Sequence, residues 1–314
     1  MTEREEKLRT KVRGLLESGK IKYFIGYEGG SDAFRVSPCF VSNPKDADKL
    51  ILGPNCYSNL SVYIIEDQQK VPKRGEKKDA RPIGIVVKGC DSRSLVQLMS
   101  ENKIADADVV VLGVPCRGII DPEKMDSLAK KMKIPGRALI GMKLTEAGDG
   151  FIGEYAGKQY NFKKSEVTMN KCRVCQHPNP IIFDELLDET VDVACALDYS
   201  DVEEIEKMTP EARWKFWESE MSKCIRCHAC REVCPVCYCK ECVVDPHDSV
   251  MTPKTQSKTK ENKNMWIERS SELPENIFFH MTRMMHMFGR CTNCGECERV
   301  CPKGIRLRLL TKKI

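Results

Sequence analysis

Hydrophobic positions recur at helical spacing near both ends of the chain and form continuous runs in its middle. Over residues 4–19, Leu8, Val12, Leu15 and Leu16 share one helical face and Gly19 supplies a stop. Residues 22–27 read as a short strand ended by Gly29 and Gly30; without a G-x-G-x-x-G order, that glycine pair reads as a plain turn. A helix is expected over 59–66, followed by an exposed polar loop over 68–78 that carries five lysines and arginines and no apolar pattern.

The middle of the chain has a different pattern. Ile83-Gly84-Ile85-Val86-Val87 and Val109-Val110-Val111-Leu112-Gly113-Val114 are unbroken apolar runs bounded by turn signals, as expected of strands buried on both faces. A helix to about Asn102 lies between them, with Leu95, Leu98 and Met99 turned inward, and another spans 123–132. Residues 137–142 read as a further strand. Strand, helix and strand at this spacing predict a parallel sheet with a right-handed crossover. Ligands on such sheets bind beyond the carboxyl ends of the strands, where Cys90 and Cys116 both fall. Beyond Gly148 the pattern turns polar and hairpin-like, and 183–210 reads as an acidic, solvated linker. Residues 211–221 are helical and carry Trp214, Phe216 and Trp217, expected to pack the last third onto the α/β domain. A helix is expected over 273–288, with Pro274 in its first turn. Its methionines, Met281, Met284, Met285 and Met287, read as core filler over a cofactor.

Cysteine changes this picture most. The chain of 314 residues has 18 cysteines, and its first residues, Met1-Thr2-Glu3-Arg4-Glu5-Glu6-Lys7, form no apolar signal region. Dense C-x2-C spacing then means metal or redox chemistry in a reducing compartment, and a cytoplasmic location is expected. No stretch approaches the ~18 consecutive apolar residues of a membrane span. Two runs repeat one spacing, C-x2-C-x2-C-x3-C-P: Cys224, Cys227, Cys230, Cys234 and Pro235, then Cys291, Cys294, Cys297, Cys301 and Pro302. This is the spacing that holds cubane iron–sulfur clusters, the fourth cysteine of each run serving the other cube. The expected first cluster is on Cys224, Cys227, Cys230 and Cys301, and the second on Cys291, Cys294, Cys297 and Cys234. Tetrahedral zinc also uses C-x2-C pairs but does not explain four cysteines plus proline twice at the same offsets.

A further pair, Cys172 and Cys175, needs two more ligands. Cys90 and Cys116 are the candidates for a third 4Fe–4S cluster, with Cys39 and Cys56 as substitutes; Cys195 reads as core. Cys237, Cys239 and Cys242 either hold zinc or a further cluster, or lie over the first cube. With thiolates enough, His280 and His286 are not needed as ligands.

The formal net charge is +5, but that count treats every cysteine as neutral, and thiolate-bound cubes would offset it. Basic residues are scattered except for Arg306, Arg308, Lys312 and Lys313. Nucleic-acid binding is therefore not expected, whereas a basic rim for an acidic redox partner is. Lys223, Arg226 and Arg290 lie near the clusters in sequence, either raising their potentials or serving as surface charges.

The carboxyl third resembles the dicluster modules of heterodisulfide reductase C-type subunits, which also separate their two runs by a long insertion. Residues 80–190 resemble the beta-subunit family of deazaflavin-reducing hydrogenases and formate dehydrogenases, through Gly113-Val114-Pro115-Cys116 and the later Cys172–Cys175 pair. The resemblance implies an electron-transfer subunit with FAD beside a cluster, in a hetero-oligomer with catalytic oxidoreductase subunits and a redox carrier. In many relatives the ferredoxin part comes first; here it comes last. If flavin is present, the turn of Lys88, Asp91, Ser92, Arg93 and Ser94 would offer backbone N–H groups to its phosphate, though the same residues can simply cap the helix. The architecture expected is an α/β domain over 1–182, the linker, and a mainly α dicluster ferredoxin domain over 211–314 with an insertion at 236–272. Two alternatives are a self-contained iron–sulfur flavoenzyme and a redox-sensing or zinc-binding structural protein.

Overall fold

The computed structural model describes residues 2–69, 79–148, 150–192, 198–239, 242, 244, 267 and 270–312. Cys195, Lys313, most of the insertion expected over 236–272 and most of the loop expected over 68–78 lie outside the described residues. The chain divides into two units, Met1–Asp198 and Tyr199–Ile314.

In the first unit, α1 (Glu3–Glu17) begins at a capping box, in which Thr2 accepts from the Glu5 amide and the Glu5 carboxylate accepts from the Thr2 amide. It ends just before Gly19, at φ 67°. The sheet runs in the order β2 (Val36–Val41), β1 (Phe24–Gly29), β3 (Ile83–Val87), β4 (Val109–Gly113) and β5 (Glu185–Leu186). Only the β1–β2 pair is antiparallel. Every residue of β3 and β4 is buried, as their continuous apolar runs require. Helices α2 (Val62–Gln69), α3 (Gly89–Ser100) and α4 (Pro122–Lys131) accompany the sheet, α3 forming the crossover between β3 and β4.

Residues 137–142 are not a strand. They lie in a short helix, α5 (Gly136–Gly141), started after Pro135, because only Ala138 and Met142 are buried, four residues apart. The strand comes next: Lys143–Ala147, Gly150–Tyr155 and Lys158–Lys163 form an antiparallel three-stranded sheet. Phe151 and Phe162 from this sheet share a core with Phe34, Ile120 and Met125.

The two ends of the stretch 183–210 belong to regular elements. Its start supplies β5, paired in parallel to Leu112 and Gly113. Its end forms the helix Ser200–Glu206 of the second unit, where Val202 and Ile205 pack on Leu309. Asp201 on that helix pairs with Arg308 at 2.6 Å and Lys312 at 3.0 Å. The C-terminal basic cluster is therefore largely spent inside the fold, not arrayed as a rim. Arg308 is buried, and Arg306 stacks over the Phe216 ring.

The second unit is helical: Pro210–Ser222, then Ala229–Glu232, the inserted helix Leu273–Met287, Glu296–Arg299 and Leu307–Lys312. Phe216 and Trp217 pack within this unit, and Trp214 is exposed. No described helix is long and apolar enough to cross a membrane.

Candidate cluster sites

The two cysteine runs repeat in backbone as well as in sequence. Arg226 and Asn293 hold φ 55° and 56°, and His228 and Gly295 hold φ 59° and 70°. Each pair sits at one offset in its run. Each run then enters a one-turn helix, Ala229–Glu232 or Glu296–Arg299, and the fourth cysteine closes a turn: Cys234 N donates to Arg231 O at 3.1 Å and Cys301 N to Glu298 O at 3.3 Å. Left-handed residues between successive cysteines turn backbone N–H groups toward the sulfurs, a concavity suited to an anion. Arg226 N already donates to Cys224 Sγ at 3.4 Å.

The cysteines gather across the runs. Burial raises the Cys230 pKa, the Arg283 guanidinium opposes it, and Cys224, Cys301 and Cys227 raise it again by their own negative charge. Burial likewise pushes Cys297 up to about 12, against Arg283, with Cys234 and Cys291 as neighbours of like sign. Cys234, also pushed up to about 12 by burial, faces Cys294 and Cys237. Cys234, Cys291, Cys294 and Cys297 line one recess. Four cysteines drawn from the two runs around one recess are the ligand set of a cube, which presents four separate irons.

Arg283 is the second point of fit. It is buried, its Nη2 donates to Cys230 O at 2.9 Å, and its Nε has no hydrogen-bond partner among the described residues. A buried cation is costly unless anions surround it. Those around it are the sulfurs of Cys297, Cys230, Cys234 and Cys237, so the site fits thiolate-held, negatively charged clusters far better than neutral thiols. Lys223 pairs with Glu220 at 2.6 Å, and Arg290 donates to Val236 O at 3.0 Å. Met281 and Met285 face outward, whereas Met287 is buried with its Sδ 3.8 Å from Cys234 Sγ. Half of the methionine stripe therefore does not cover a cofactor. Of the three extra cysteines, Cys237 lies beside Cys242 and Cys239, and its amide donates to Cys234 O at 3.0 Å, which places it by the second cysteine group, not over the first.

In the first unit the strand ends do what the topology predicts. Cys90 is the second residue of α3 and Cys116 follows β4. Burial pushes Cys116 up to about 12, and the next causes include the neighbouring charges of Cys172 and Cys175; Cys90, raised by burial, in turn feels Cys116. The four candidates thus converge, while Cys39 has Glu28, Lys49 and Asp46 as its charged neighbours. Lys88 and Lys171, both buried, supply positive charge beside Cys90 and Cys172. The loop bearing Cys175 presses on the start of α3: a Cβ on Gly89 would stand 1.9 Å from His177 O. Gly89→Ala should therefore displace the 177–179 loop, at a cost of about 1–3 kcal/mol. Unfolding by urea would read that loss, and unchanged stability would contradict the close packing.

The turn at 88–94 does not fit a phosphate. Lys88 Nζ pairs with Asp91 at 2.8 Å, bonds the Tyr27 hydroxyl and donates to Ser58 O at 3.2 Å. Lys88 N donates to Asp91 Oδ2 at 3.0 Å, the capping alternative. Ser92 Oγ accepts from Ile181 N at 3.0 Å, and Ser94 Oγ from Asn59 Nδ2 at 2.9 Å. Lys88, Asp91, Ser92 and Ser94 are all buried, and Arg93 has partners of its own, so these side chains hold the fold together. Beyond the carboxyl ends of β3 and β4 a separate open recess is lined by Tyr27, Cys56, Lys88, Cys116 and Arg117 together with Arg4 and Glu146. Sequence reasoning missed it because Arg4, Cys56 and Glu146 come from distant segments.

Comparison with known families agrees with this division. Residues 220–305 match the 4Fe-4S dicluster domain, and residues 80–184 match the C-terminal domain of the Coenzyme F420 hydrogenase/dehydrogenase beta subunit. One match falls in each unit. It is 23% identical over 354 aligned positions to the F420-dependent formate dehydrogenase subunit beta of Methanocaldococcus jannaschii, covering 93% of this chain and 84% of that protein. It is 24% identical to the F420-dependent formate dehydrogenase 1 subunit beta of Methanococcus maripaludis, over 87% of this chain and 78% of that one. Among solved structures, a chain of the F420-reducing [NiFe] hydrogenase complex from Methanosarcina barkeri aligns with TM-score 0.43 and 15% identity, over 55% of this chain and 58% of that chain.

Proposed function

We propose that this chain is the iron–sulfur electron-transfer subunit of an oxidoreductase complex, passing electrons between a catalytic partner subunit and a two-electron carrier of the deazaflavin class. The observation that carries the reading is the pair of backbone-matched cysteine runs around the buried Arg283, joined to a beta-subunit domain whose relatives are F420-dependent. Cys224, Cys227, Cys230 and Cys301 would hold the first 4Fe–4S cluster, and Cys291, Cys294, Cys297 and Cys234 the second. Cys90, Cys116, Cys172 and Cys175 would hold a third, with the buried Lys171 offsetting part of its charge. FAD would lie in the recess beside Cys116, beyond the strand ends, rather than at the 88–94 turn. When bound, the clusters would carry single electrons, and a flavin would supply the step between one-electron and two-electron transfer. The chain's own residues set potentials and exclude water; among the described residues no nucleophile–base arrangement is invoked.

The test is anaerobic mixing of the reduced, FAD-reconstituted full chain with oxidised coenzyme F420. Bleaching of the deazaflavin absorbance is expected. A fully loaded chain that leaves the deazaflavin oxidised would overturn the carrier assignment. Cys116→Ser should slow the bleaching by about tenfold or more while the dicluster signals persist, since it removes a ligand next to the flavin recess. Equal rates in variant and parent would contradict the third site.

A further inference from the structure

The inserted helix Leu273–Met287 lays one stripe along the first cysteine run. Its buried residues include Asn276, His280, Arg283 and Met287, spaced four, three and four apart and therefore on one face. They meet the run in order. Asn276 Nδ2 donates to Cys224 O at 2.9 Å, His280 Nε2 lies 3.3 Å from Cys224 Sγ, Arg283 bonds Cys230 O, and Met287 Sδ approaches Cys234 Sγ. The sequence between two cluster motifs thus returns as a helix that touches ligands of both proposed clusters.

The contacts differ in kind. A thiolate ligand can only accept, so an imidazole nitrogen this close to Cys224 Sγ is the donor, and its N–H stabilises the more negative, reduced state of the cluster bound there. A thioether has no proton, and Met287 gives the second cluster no such bond. Thr311 Oγ1 stands 3.4 Å from Cys291 Sγ, but its proton goes to Arg308 O at 3.0 Å. Arg283 is different again. It bonds the carbonyl of Cys230, a ligand of the first cluster, and lines the recess of the second with Cys234, Cys291, Cys294 and Cys297. With no hydrogen bond to Nε among the described residues, its charge is available to both.

We propose that this helix is a redox-tuning element in which His280 raises the reduction potential of the first cluster selectively and Arg283 raises both. The proposal rests on the two-cluster reading above. His280 and Arg283 are positioning residues: neither is a ligand, and each acts through cysteines.

The test is an EPR-monitored redox titration of the anaerobically purified full chain, each cluster taking one electron from dithionite. His280→Leu is expected to lower the reduced-to-oxidised ratio of the first cluster about tenfold at fixed potential, equivalent to about 59 mV for one electron, leaving the second in place. His280→Gln, which keeps a side-chain N–H, should recover most of the shift. Arg283→Met should lower both clusters. Iron content of each variant is measured alongside. Clusters present at parental stoichiometry with an unmoved first potential in His280→Leu would overturn the role of His280, as would an equal shift of both. Should His280→Leu fail to assemble, His280→Gln against Arg283→Lys decides: parental potentials are expected in both, and a large drop in the first cluster of His280→Gln contradicts the proposal. A parent chain without iron would instead overturn the two-cluster reading.

Discussion

Replacing Cys234 with serine should remove the second cluster and spare the first, although Cys234 ends the first cysteine run. The reason is geometric. Cys224 and Cys227 lie on the loop that carries the left-handed residues Arg226 and His228, and Cys230 lies in the helical turn Ala229–Glu232, whereas Cys234 lies past that turn. That turn carries its sulfur to the recess shared with Cys291, Cys294 and Cys297. Cys301 makes the reciprocal excursion and faces Cys224 and Cys230. Serine is a far poorer iron ligand than thiolate, so about four irons and their sulfides should go with Cys234, and a comparable four with Cys301. EPR of the reduced variants distinguishes them, because each should retain the signal the other loses. Loss of the cluster held by Cys224, Cys227 and Cys230 on mutating Cys234 would show that each run closes its own cube.

Asp91→Ala should destabilise the first unit by about 3–5 kcal/mol, the usual cost of stranding a buried charge. Asp91 is fully buried, caps α3 through the Lys88 amide and neutralises the Lys88 ammonium at 2.8 Å. Its removal leaves that ammonium in the interior with only the Tyr27 hydroxyl and the Ser58 carbonyl. Such a loss is a large share of the ~5–15 kcal/mol that domains have in total. Urea unfolding followed by far-UV circular dichroism measures it. The double variant Lys88→Met/Asp91→Leu should recover most of the loss, because it removes both charges together. A single variant as stable as the parent would mean that Lys88 reaches solvent or another anion.

The cysteine runs behind the first of these predictions were legible because the spacing of ligands is itself the chemistry. The two buried strands were legible because β3 and β4 contain no polar side chain at all. The strand Glu185–Leu186 was hidden: two residues in an acidic stretch pair with the sheet edge, and no periodicity marks them. Residues 137–142 misled because a short apolar run fits a strand or a helix equally, and Pro135 decided for the helix. The 88–94 turn carries the polar residues of a phosphate site, yet a sequence does not reveal whether such side chains face a ligand or one another. Arg283 went unnoticed among methionines. Its spacing from Asn276, His280 and Met287 was the available signal, since a charged residue on an otherwise buried helical face requires a counter-charge.

A series of thiolate-held clusters, two in a dicluster module and one at the strand ends of a beta-subunit domain, is the core of the proposed relay. It is tested most directly by iron, acid-labile sulfide, zinc and flavin content of the full chain purified without oxygen. The expected result is about twelve irons and twelve sulfides per chain, with no stoichiometric zinc and one flavin after reconstitution with FAD. About eight irons would remove the third site on Cys90, Cys116, Cys172 and Cys175 and leave a dicluster relay. Zinc in place of iron at the paired runs would contradict the electron-transfer reading as a whole.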